Sequence, residues 1–371
     1  MLGSSEELDI TVVERILVIQ LGDVGDVVLT TPVLVALKRA NRRLRVMVAV
    51  REMARGLMEL CPSVDEVFYV HKSSKGIIDS FLGHCAFFRA LRGRRPEVAI
   101  DLRTGDRGAV ISFICGAKTR ISRTTGGGWK WRNALLNHLV LPDPELELRQ
   151  YATQHHLNIV SIMGLINIDE ISPSLIINSQ HKMASLEALN IAGIQDQLPV
   201  ALAPFSRWRY KELRPSVIKE IVAGILSLSS CVVLIGSKQE MERAEMIKKD
   251  FGKRLINLAG RTSLGDLAAV LHSCRLLVGV DSAAIHIAAA VGTPTIGVFG
   301  PSSAITWAPR GQSHWTVKKT WPCIPCRQKG CNGLGQSRCL NEMEADEVVS
   351  AVRRHMEELE KEPLRHSLRR F

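Results

Sequence analysis

The stretch from Leu276 to Phe299 constrains the fold more than any other part of the sequence. The apolar run Leu276–Val280 is typical of a buried strand, and the polar turn after it opens a segment of small residues typical of a helix packed closely on a sheet. Thr295–Phe299 is a second apolar run. A strand, a helix and a second strand in this order indicate an α/β protein with a parallel sheet. Such sheets bind ligands at the carboxyl ends of their strands, where the following helix offers N–H groups to an anion such as a pyrophosphate.

The same alternation of strands and helices runs through both halves of the chain, and it weakens between 167 and 197. We therefore predict a first Rossmann-like doubly wound domain at 1–178, a connection at 179–197, a second such domain at 198–345, and a C-terminal helix and basic tail at 346–371. The expected strands are Ile16–Gln20, Arg45–Val50, Val64–Val70 and Val98–Leu102 in the first half, and Leu198–Pro204, Cys231–Ser237, Leu276–Val280 and Thr295–Phe299 in the second, where the segment Leu258–Leu264 also ends a strand-like run.

The composition is that of a soluble globular protein with a strong positive charge. Its 371 residues are 46% hydrophobic, and the net charge of +11 favours an acidic partner. The basic residues are scattered and no nucleic-acid motif accompanies them, so we expect no nucleic-acid partner and favour an anionic membrane surface that carries a phosphorylated glycolipid. The polar start lacks the pattern of a secretory signal, and His286, Gly292 and Pro294 interrupt the longest apolar stretch. We expect a cytosolic protein.

A turn rich in glycine and aspartate follows the first expected strand. Gly22 and Gly25 allow a close backbone turn, and Asp26 is placed to begin a helix that extends from Val27 to Arg39. An acid in this place also has an ordinary structural explanation, because the helix dipole favours negative charge at the N-terminus.

Two motifs carry a family resemblance when they are taken together. One is Gly25-Asp26-Val27 with Thr31-Pro32; the other is Asp281-Ser282-x-x-x-His286-x-Ala288-Ala289-Ala290, followed by Pro294 and Phe299-Gly300-Pro301. They resemble the family 9 glycosyltransferases, the ADP-heptose:lipopolysaccharide heptosyltransferases, and the resemblance extends over nearly the whole chain. It implies the GT-B fold, in which two Rossmann-like doubly wound domains face each other across a cleft. In that fold the final helix, Ala345 to Lys361, crosses back onto the first domain.

The resemblance also implies an activity, the inverting transfer of heptose from ADP-heptose to the inner core of lipopolysaccharide or to a related glycan. Asp26 matches the family's candidate general base, which takes the proton of the acceptor hydroxyl, and Asp23 is a nearby alternative. No Asp-x-Asp motif follows a strand, so we expect transfer without a metal and no cofactor beyond the donor substrate ADP-heptose. The alternatives are a non-catalytic module that binds nucleotide sugars and a two-domain nucleotide-sugar epimerase.

By the same resemblance, Ser206 and Lys211 contact the donor diphosphate, and Lys211 is a catalytic residue because its charge supports the departing group. The family usually has an aromatic residue and a proline after this lysine, whereas this chain continues with Glu212. Arg207 and Arg209 are therefore candidates to share the role.

The nucleoside of the donor has two expected contacts. Glu240 or Glu242 accepts hydrogen bonds from the ribose, and the sequence leaves the choice between them open. Thr262 stands where the family has a methionine that contacts adenine.

The turn at Asp281 is expected to complete the donor site. Ser282 and Ala283 begin the helix that faces the diphosphate, Asp281 binds sugar hydroxyls or positions the turn, and His286 points toward the same place. The ordinary alternatives are a capping aspartate and a buried core histidine.

The acceptor is expected to contact Arg103 and Arg107, because guanidinium groups pair with phosphates and carboxylates. A structural ion pair with Asp106 is the alternative. The segment Gly126–Trp131 is a basic loop that suits an acceptor surface or is an ordinary loop. We expect a monomer that contacts the cytoplasmic face of the inner membrane peripherally.

Histidines and cysteines raise the question of a metal site. His155-His156 precedes an expected helix, Leu157–Leu165, and has no third ligand at a suitable spacing. A Zn(Cys)4 site is chemically possible at Cys323, Cys326, Cys331 and Cys339, but we favour a loop of reduced or redox-variable thiols. The remaining cysteines are expected in the core: Cys61, Cys85, Cys115, Cys231 and Cys274.

Overall fold

The structure is a computed structural model, and it describes residues 8–70, 76–124, 130–165, 168, 171–183 and 198–361, with the backbone alone for 76–82. The chain divides into two compact units, Met1–Ile176 and Ile177–Phe371. Each unit contains one parallel sheet of six strands. The glycines of the expected basic loop, and the basic tail after Lys361, lie outside the described residues.

The first unit is built on a sheet with the strand order β3-β2-β1-β4-β5-β6. Its central strand is buried from Ile16 to Ile19 because helices cover both faces of the sheet. The strands are β1 Arg15–Gln20, β2 Arg45–Arg51, β3 Glu66–Val70, β4 Val98–Asp101, β5 Thr119–Arg123 and β6 His138–Val140. The α-helices are α1 Val24–Val28, α2 Thr31–Ala40, α3 Gly76–Gly93, α4 Asp106–Ile114, α5 Pro144–Arg149 and α6 Ala152–Val160.

The second unit repeats the same topology, with the order β12-β11-β10-β7-β8-β9. The strands are β7 Val200–Ala203, β8 Val232–Leu234, β9 Leu255–Asn257, β10 Leu276–Val280, β11 Thr295–Val298 and β12 His314–Val317. The α-helices are α7 Pro215–Leu228, α8 Met241–Lys248, α9 Leu264–His272, α10 Ala283–Ala290, α11 Ala304–Trp307, α12 Arg338–Asn341 and α13 Ala345–Lys361.

Each sheet has one point where the chain reverses the direction in which it adds strands. In the first unit it lies between β1 and β4, and in the second between β7 and β10. The loops after these strands diverge to opposite faces of the sheet and leave a crevice, which is where open α/β sheets bind ligands. Four of the expected site residues each follow one of these strands: Asp26, Arg103, Lys211 and Asp281.

The helix α13 packs within the second unit, against α7. A Cβ atom at Gly224 of α7 would lie 2.5 Å from a methyl carbon of Val349, so the glycine permits this close approach. Val348, Val352 and Met356 of α13 belong to the core of the second unit. The crossing of this helix onto the first domain stays a prediction.

Most strand predictions are confirmed with small shifts at the ends, but three strands were not predicted. These are β5, β6 and β12, which contain too few apolar residues for the pattern to distinguish them from loops. In the part of the chain that the structure describes, no helix is both long enough and apolar enough to span a bilayer.

Two helix predictions are wrong at their boundaries. The helix expected from Val27 to Arg39 is two helices, because the Thr30 hydroxyl donates to the Asp26 carbonyl (2.9 Å) at the break between α1 and α2. Asp26 therefore lies inside the first turn of α1, and Asp23 takes the N-cap position. The helix expected at Leu157–Leu165 is α6, which begins at Ala152.

Candidate active site

Asp26 is held at the carboxyl end of β1 by contacts to a single oxygen atom. Its Oδ2 accepts a hydrogen bond from the Asp23 N–H (3.0 Å) and a second from Nη1 of Arg103 (2.8 Å). A Cβ atom at Gly22 would lie 2.3 Å from this oxygen, so only glycine leaves room for the carboxylate. The alternative base, Asp23, lies 3.4 Å from Arg51 Nη1 and is more exposed than Asp26.

The structure brings Arg103 to Asp26, although the two residues belong to loops after different strands. Arg103 follows β4, and its exposed guanidinium spans the crevice between β4 and β1. The ion pair that it forms is with Asp26 and not with Asp106, which was the structural alternative. Arg107 is exposed on the first turn of α4.

Behind the Asp26 loop lies a buried hydrogen-bond network centred on Gln20. The Gln20 amide donates to the Thr30 hydroxyl (3.0 Å) and lies 3.4 Å from His156 Nε2, while its oxygen accepts from the Gly22 N–H (3.0 Å). Burial lowers the pKa of His156 to about 4, against the raising effect of Asp26 and of the Leu29 carbonyl. His156 is therefore a neutral core residue.

In the second unit, Lys211 and Asp281 form the corresponding pair. Lys211 ends the 3-10 helix Arg209–Lys211 in the loop after β7, and its Nζ lies 2.6 Å from Oδ2 of Asp281, just after β10. Because a buried charge is costly unless it is paired, the lysine stabilises the buried carboxylate of Asp281. Asp281 thus holds the lysine in place, and its expected roles of binding sugar hydroxyls or positioning the turn stay predictions.

Ser206 is buried and tied into the same loop. Its hydroxyl donates to the Asp281 carbonyl (3.4 Å) and accepts from the Trp208 N–H (3.3 Å). Its own N–H donates to Oε1 of Glu212 (3.0 Å). Ser206 therefore links the loop after β7 to the turn after β10, and its contact with a diphosphate stays a prediction.

Glu212 is a structural anchor of this site that the sequence reasoning missed. Its carboxylate is buried and accepts both from the Ser206 N–H and from two nitrogens of Arg243, at 2.6 and 3.1 Å. Arg243 comes from α8, so no local pattern around Glu212 could have indicated the pair. By contrast, Arg207 and Arg209 are exposed, and Arg207 lies over the Trp208 ring.

The turn after β10 presents the N-terminus of α10. Ser282 is its N-cap residue with extended backbone, and its hydroxyl oxygen is buried with no hydrogen bond to any residue that the structure describes. Ala283 begins the helix, and His286 is buried on it. An orphaned buried hydroxyl beside free helical N–H groups is the arrangement expected of an anion site before its ligand binds.

Glu240 and Thr262 follow β8 and β9, at the same edge of the sheet. One oxygen of Glu240 accepts from the Ser237 N–H (2.6 Å), and the other lies 3.9 Å from Arg243. Thr262 is partly exposed, whereas Glu242 is exposed on α8. Of the two acids, Glu240 is the one that a loop holds in place at this edge.

Comparison with known proteins decides the family. The model of glycosyltransferase family 9 (heptosyltransferase) matches residues 84–335. This chain belongs to that family. As a family 9 member it is a glycosyltransferase, and the expected resemblance is confirmed.

Individual relatives agree with this assignment. The chain is 24% identical to lipopolysaccharide heptosyltransferase 3 of Escherichia coli K12 over 77% of this chain and 82% of that protein. It is 28% identical to lipooligosaccharide heptosyltransferase 2 of Haemophilus ducreyi over 91% of this chain and 98% of the relative.

Solved structures share the fold. A family 9 glycosyltransferase from Veillonella parvula matches with a TM-score of 0.80 at 20% identity, over 96% of this chain and 100% of that one. Escherichia coli ADP-heptose lipopolysaccharide heptosyltransferase II matches with a TM-score of 0.76 at 19% identity, over 93% and 99% of the two chains. The likeness confirms the GT-B fold class.

The cysteines of this family 9 member are not arranged as ligands. Among the described residues, no group of three or more histidine, cysteine or acidic side chains could hold a metal ion, which includes His155-His156 and the four thiols from Cys323 to Cys339. Burial raises the pKa of Cys339 to about 11, so it is a thiol at neutral pH. Two residues earlier, the Ser337 hydroxyl donates to the Tyr210 carbonyl (2.6 Å), so this segment supports the loop that carries Lys211.

One of the cysteines expected in the core is on the surface. The prediction is wrong for Cys85, which is exposed.

Proposed function

We propose that this glycosyltransferase transfers heptose from ADP-heptose to the inner core of lipopolysaccharide or to a related glycan, with inversion at the anomeric carbon. The observation that carries the proposal is the anion site of the second unit, formed by Lys211 and by the buried Ser282 hydroxyl at the N-terminus of α10. The names of the relatives supply the substrates, since they are lipopolysaccharide and lipooligosaccharide heptosyltransferases.

At this site the diphosphate of ADP-heptose would be held by positive charge from the protein. Lys211 Nζ donates to a phosphate oxygen, and the N–H groups of Ala283 and its neighbours at the start of α10 donate as well. Negative charge grows on the diphosphate as the bond between the anomeric carbon and its oxygen breaks. Because lysine and helix supply the compensating charge, transfer needs no metal ion. Glu240 and Thr262 contact the nucleoside.

The acceptor hydroxyl attacks the anomeric carbon from the face opposite the diphosphate, which inverts the configuration. Asp26 takes the proton of that hydroxyl while the new C–O bond forms, and ADP leaves. Arg103 and Asp23 occupy Oδ2 of Asp26, so Oδ1 is the oxygen that serves as the base.

Arg103 and Arg107 would bind the phosphates or carboxylates of the acceptor. The net charge of +11 supports peripheral contact with an anionic membrane surface, on the cytoplasmic side of the inner membrane. We propose that the enzyme works there as a monomer.

A transfer assay with ADP-heptose and purified acceptor tests the proposal. Asp26→Asn should lower kcat by about a thousandfold, within the range known for general bases. The matched control is Asp23→Asn, which keeps an N-cap side chain and should change kcat by less than about threefold. Full turnover by Asp26→Asn would remove the proposed base. Donor conversion without any acceptor would favour an epimerase, and donor binding without transfer would favour a non-catalytic module.

A further inference from the structure

A buried ion pair lies beneath the Asp26 site, and the mechanism proposed above does not use it. Asp101, the last residue of β4, and Arg132, on the 3-10 helix Trp131–Leu135, are 3.1 Å apart from Oδ2 to Nη2. Their side chains are 0% and 3% exposed. Burying two charges costs several kcal/mol per ion by rough estimates before their attraction is counted, so such a pair is weak evidence for stability and calls for another explanation.

The pair encloses the main chain of Arg103. Oδ1 of Asp101 accepts from the Arg103 N–H (3.1 Å), while Nη2 of Arg132 reaches the Arg103 carbonyl (3.4 Å). Arg132 also donates to the Ser122 hydroxyl (3.1 Å) and to the Arg123 carbonyl (3.2 Å), which ties the group to the end of β5. Both polar groups of the Arg103 backbone are thus bound by this ion pair, and the Ser122 hydroxyl lies 3.2 Å from the same carbonyl oxygen.

The surroundings are shaped around Asp101. A Cβ atom at Gly108, on α4, would lie 2.2 Å from Oδ1 of Asp101, so α4 can pass over the carboxylate only with glycine there. The side chain of Arg103 then leaves this fixed backbone and reaches Oδ2 of Asp26. A long arginine side chain loses much conformational freedom in such a contact, and fixing its base reduces that loss.

We propose that Asp101 and Arg132 are positioning residues, which fix the Arg103 main chain so that its guanidinium orients the Asp26 carboxylate and stands ready for an anionic group of the acceptor. The inference rests on the proposed role of Asp26 as the base. Neither residue touches a substrate, and both act through Arg103.

A double-mutant cycle in the full-length enzyme tests this inference. Arg132→Gln should lower kcat about tenfold to a hundredfold, with the KM for ADP-heptose unchanged because the donor binds in the second unit. In an Arg103→Ala background, the same substitution should lower kcat by less than about threefold, since the contact to be positioned is already gone. Equal losses in both backgrounds, or an unchanged kcat for Arg132→Gln, would overturn the proposal.

Arg120→Gln is the matched control. Arg120 donates to the Leu135 carbonyl (2.7 Å) and so holds the same 3-10 helix, and it also donates to the Ala117 carbonyl (2.7 Å). It should lower the melting temperature and leave kcat unchanged.

A second variant covers the case in which Arg132→Gln does not fold. Asp101→Asn conserves the shape of the side chain, and it replaces Arg132→Gln in the cycle with the same expected outcomes. Full activity of Asp26→Asn would refute the base, whereas an inactive Asp26→Asn with additive losses at Arg132 and Arg103 would refute only the positioning.

Discussion

Each unit pairs one acidic and one basic side chain at the point where its strand order reverses. The loops that carry the acidic and the basic residue are exchanged between the two units. In the first unit the acid, Asp26, follows β1 and the cation, Arg103, follows β4, at 2.8 Å. In the second unit the cation, Lys211, follows β7 and the acid, Asp281, follows β10, at 2.6 Å. Arg103 and Asp281 hold corresponding positions, because each lies two residues after the last registered pair of its ladder, Ile19 with Asp101 and Ala203 with Gly279.

This reversal shows how one scaffold supports two kinds of chemistry. In each unit, the loop after the first strand carries the charged side chain with a proposed catalytic role, and the loop after the fourth strand carries its oppositely charged partner. The first pair is the more open, with Arg103 47% and Asp26 15% exposed, against 22% for Lys211 and 8% for Asp281. An open carboxylate suits proton transfer from a second substrate, whereas an enclosed lysine suits a fixed site for an anion.

The largest expected difference between the units is in their response to pH. Burial raises the pKa of Asp101 from its ordinary 3.8 to about 7, against the lowering effects of the Arg103 N–H, Arg132 and Ser122. The folded state therefore binds the proton more tightly than the unfolded state. The free energy of unfolding should fall as pH rises from about 4 to about 7. The second sheet has Gly279 in the equivalent position and lacks this contribution.

Asp101→Asn should remove this pH dependence from the first unit. As pH rises from 5 to 8, the natural protein should lose on the order of 3 kcal/mol of unfolding free energy relative to the variant. Hydrogen exchange of the β4 and β5 amides, measured at both pH values, localises the effect. The same pH slope in both proteins would contradict the assignment to Asp101.

Removing the cation of the second unit should have the next largest effect. Lys211→Met should lower kcat/KM by about a hundredfold to a thousandfold, the range found when one preorganised group that stabilises developing charge is lost. Lys219→Met is the control, because Lys219 is a more exposed lysine that pairs with Asp250 on the surface of the same unit. Steady-state kinetics with varied ADP-heptose measure both. An unchanged kcat/KM for Lys211→Met would remove the proposed anchor.

Removing the partner group of each pair should raise the KM of a different substrate in each unit. Asp281→Asn should raise the KM for ADP-heptose about tenfold and leave that for the acceptor unchanged, since it releases only the lysine. Arg103→Gln should do the reverse, raising the acceptor KM about tenfold, and it should also lower kcat about tenfold to a hundredfold because Asp26 loses the group that orients it. A matrix of initial rates with both substrates varied separates the outcomes. If both variants changed the same KM, the assignment of one substrate to each unit would be wrong.

How far the sequence predicts this structure depends on the range of the interactions. The strand β10 and the helix α13 were predicted with correct bounds, because an apolar run and a helical pattern are local signals. The strand β6 was missed, since only three residues of mixed polarity form it.

The candidate site shows the same limit. The motifs place Asp26, Lys211 and Asp281 at the right strand ends, because the connection between strand and turn is local. The partners of these residues come from distant parts of the chain, as Glu212 and Arg243 do, and a single sequence does not specify which charges meet. Arg132 could not be told apart from the other basic residues around it.

The packing of α13 on Gly224 has a consequence for biosynthesis. A ribosome makes the chain from the N-terminus, so the first unit can complete its core while the second still lacks the helix that covers α7. During that interval the apolar face of α7 is open to solvent and to chaperones. Premature termination before Ala345 would therefore release a protein with a finished first unit and an aggregation-prone second unit.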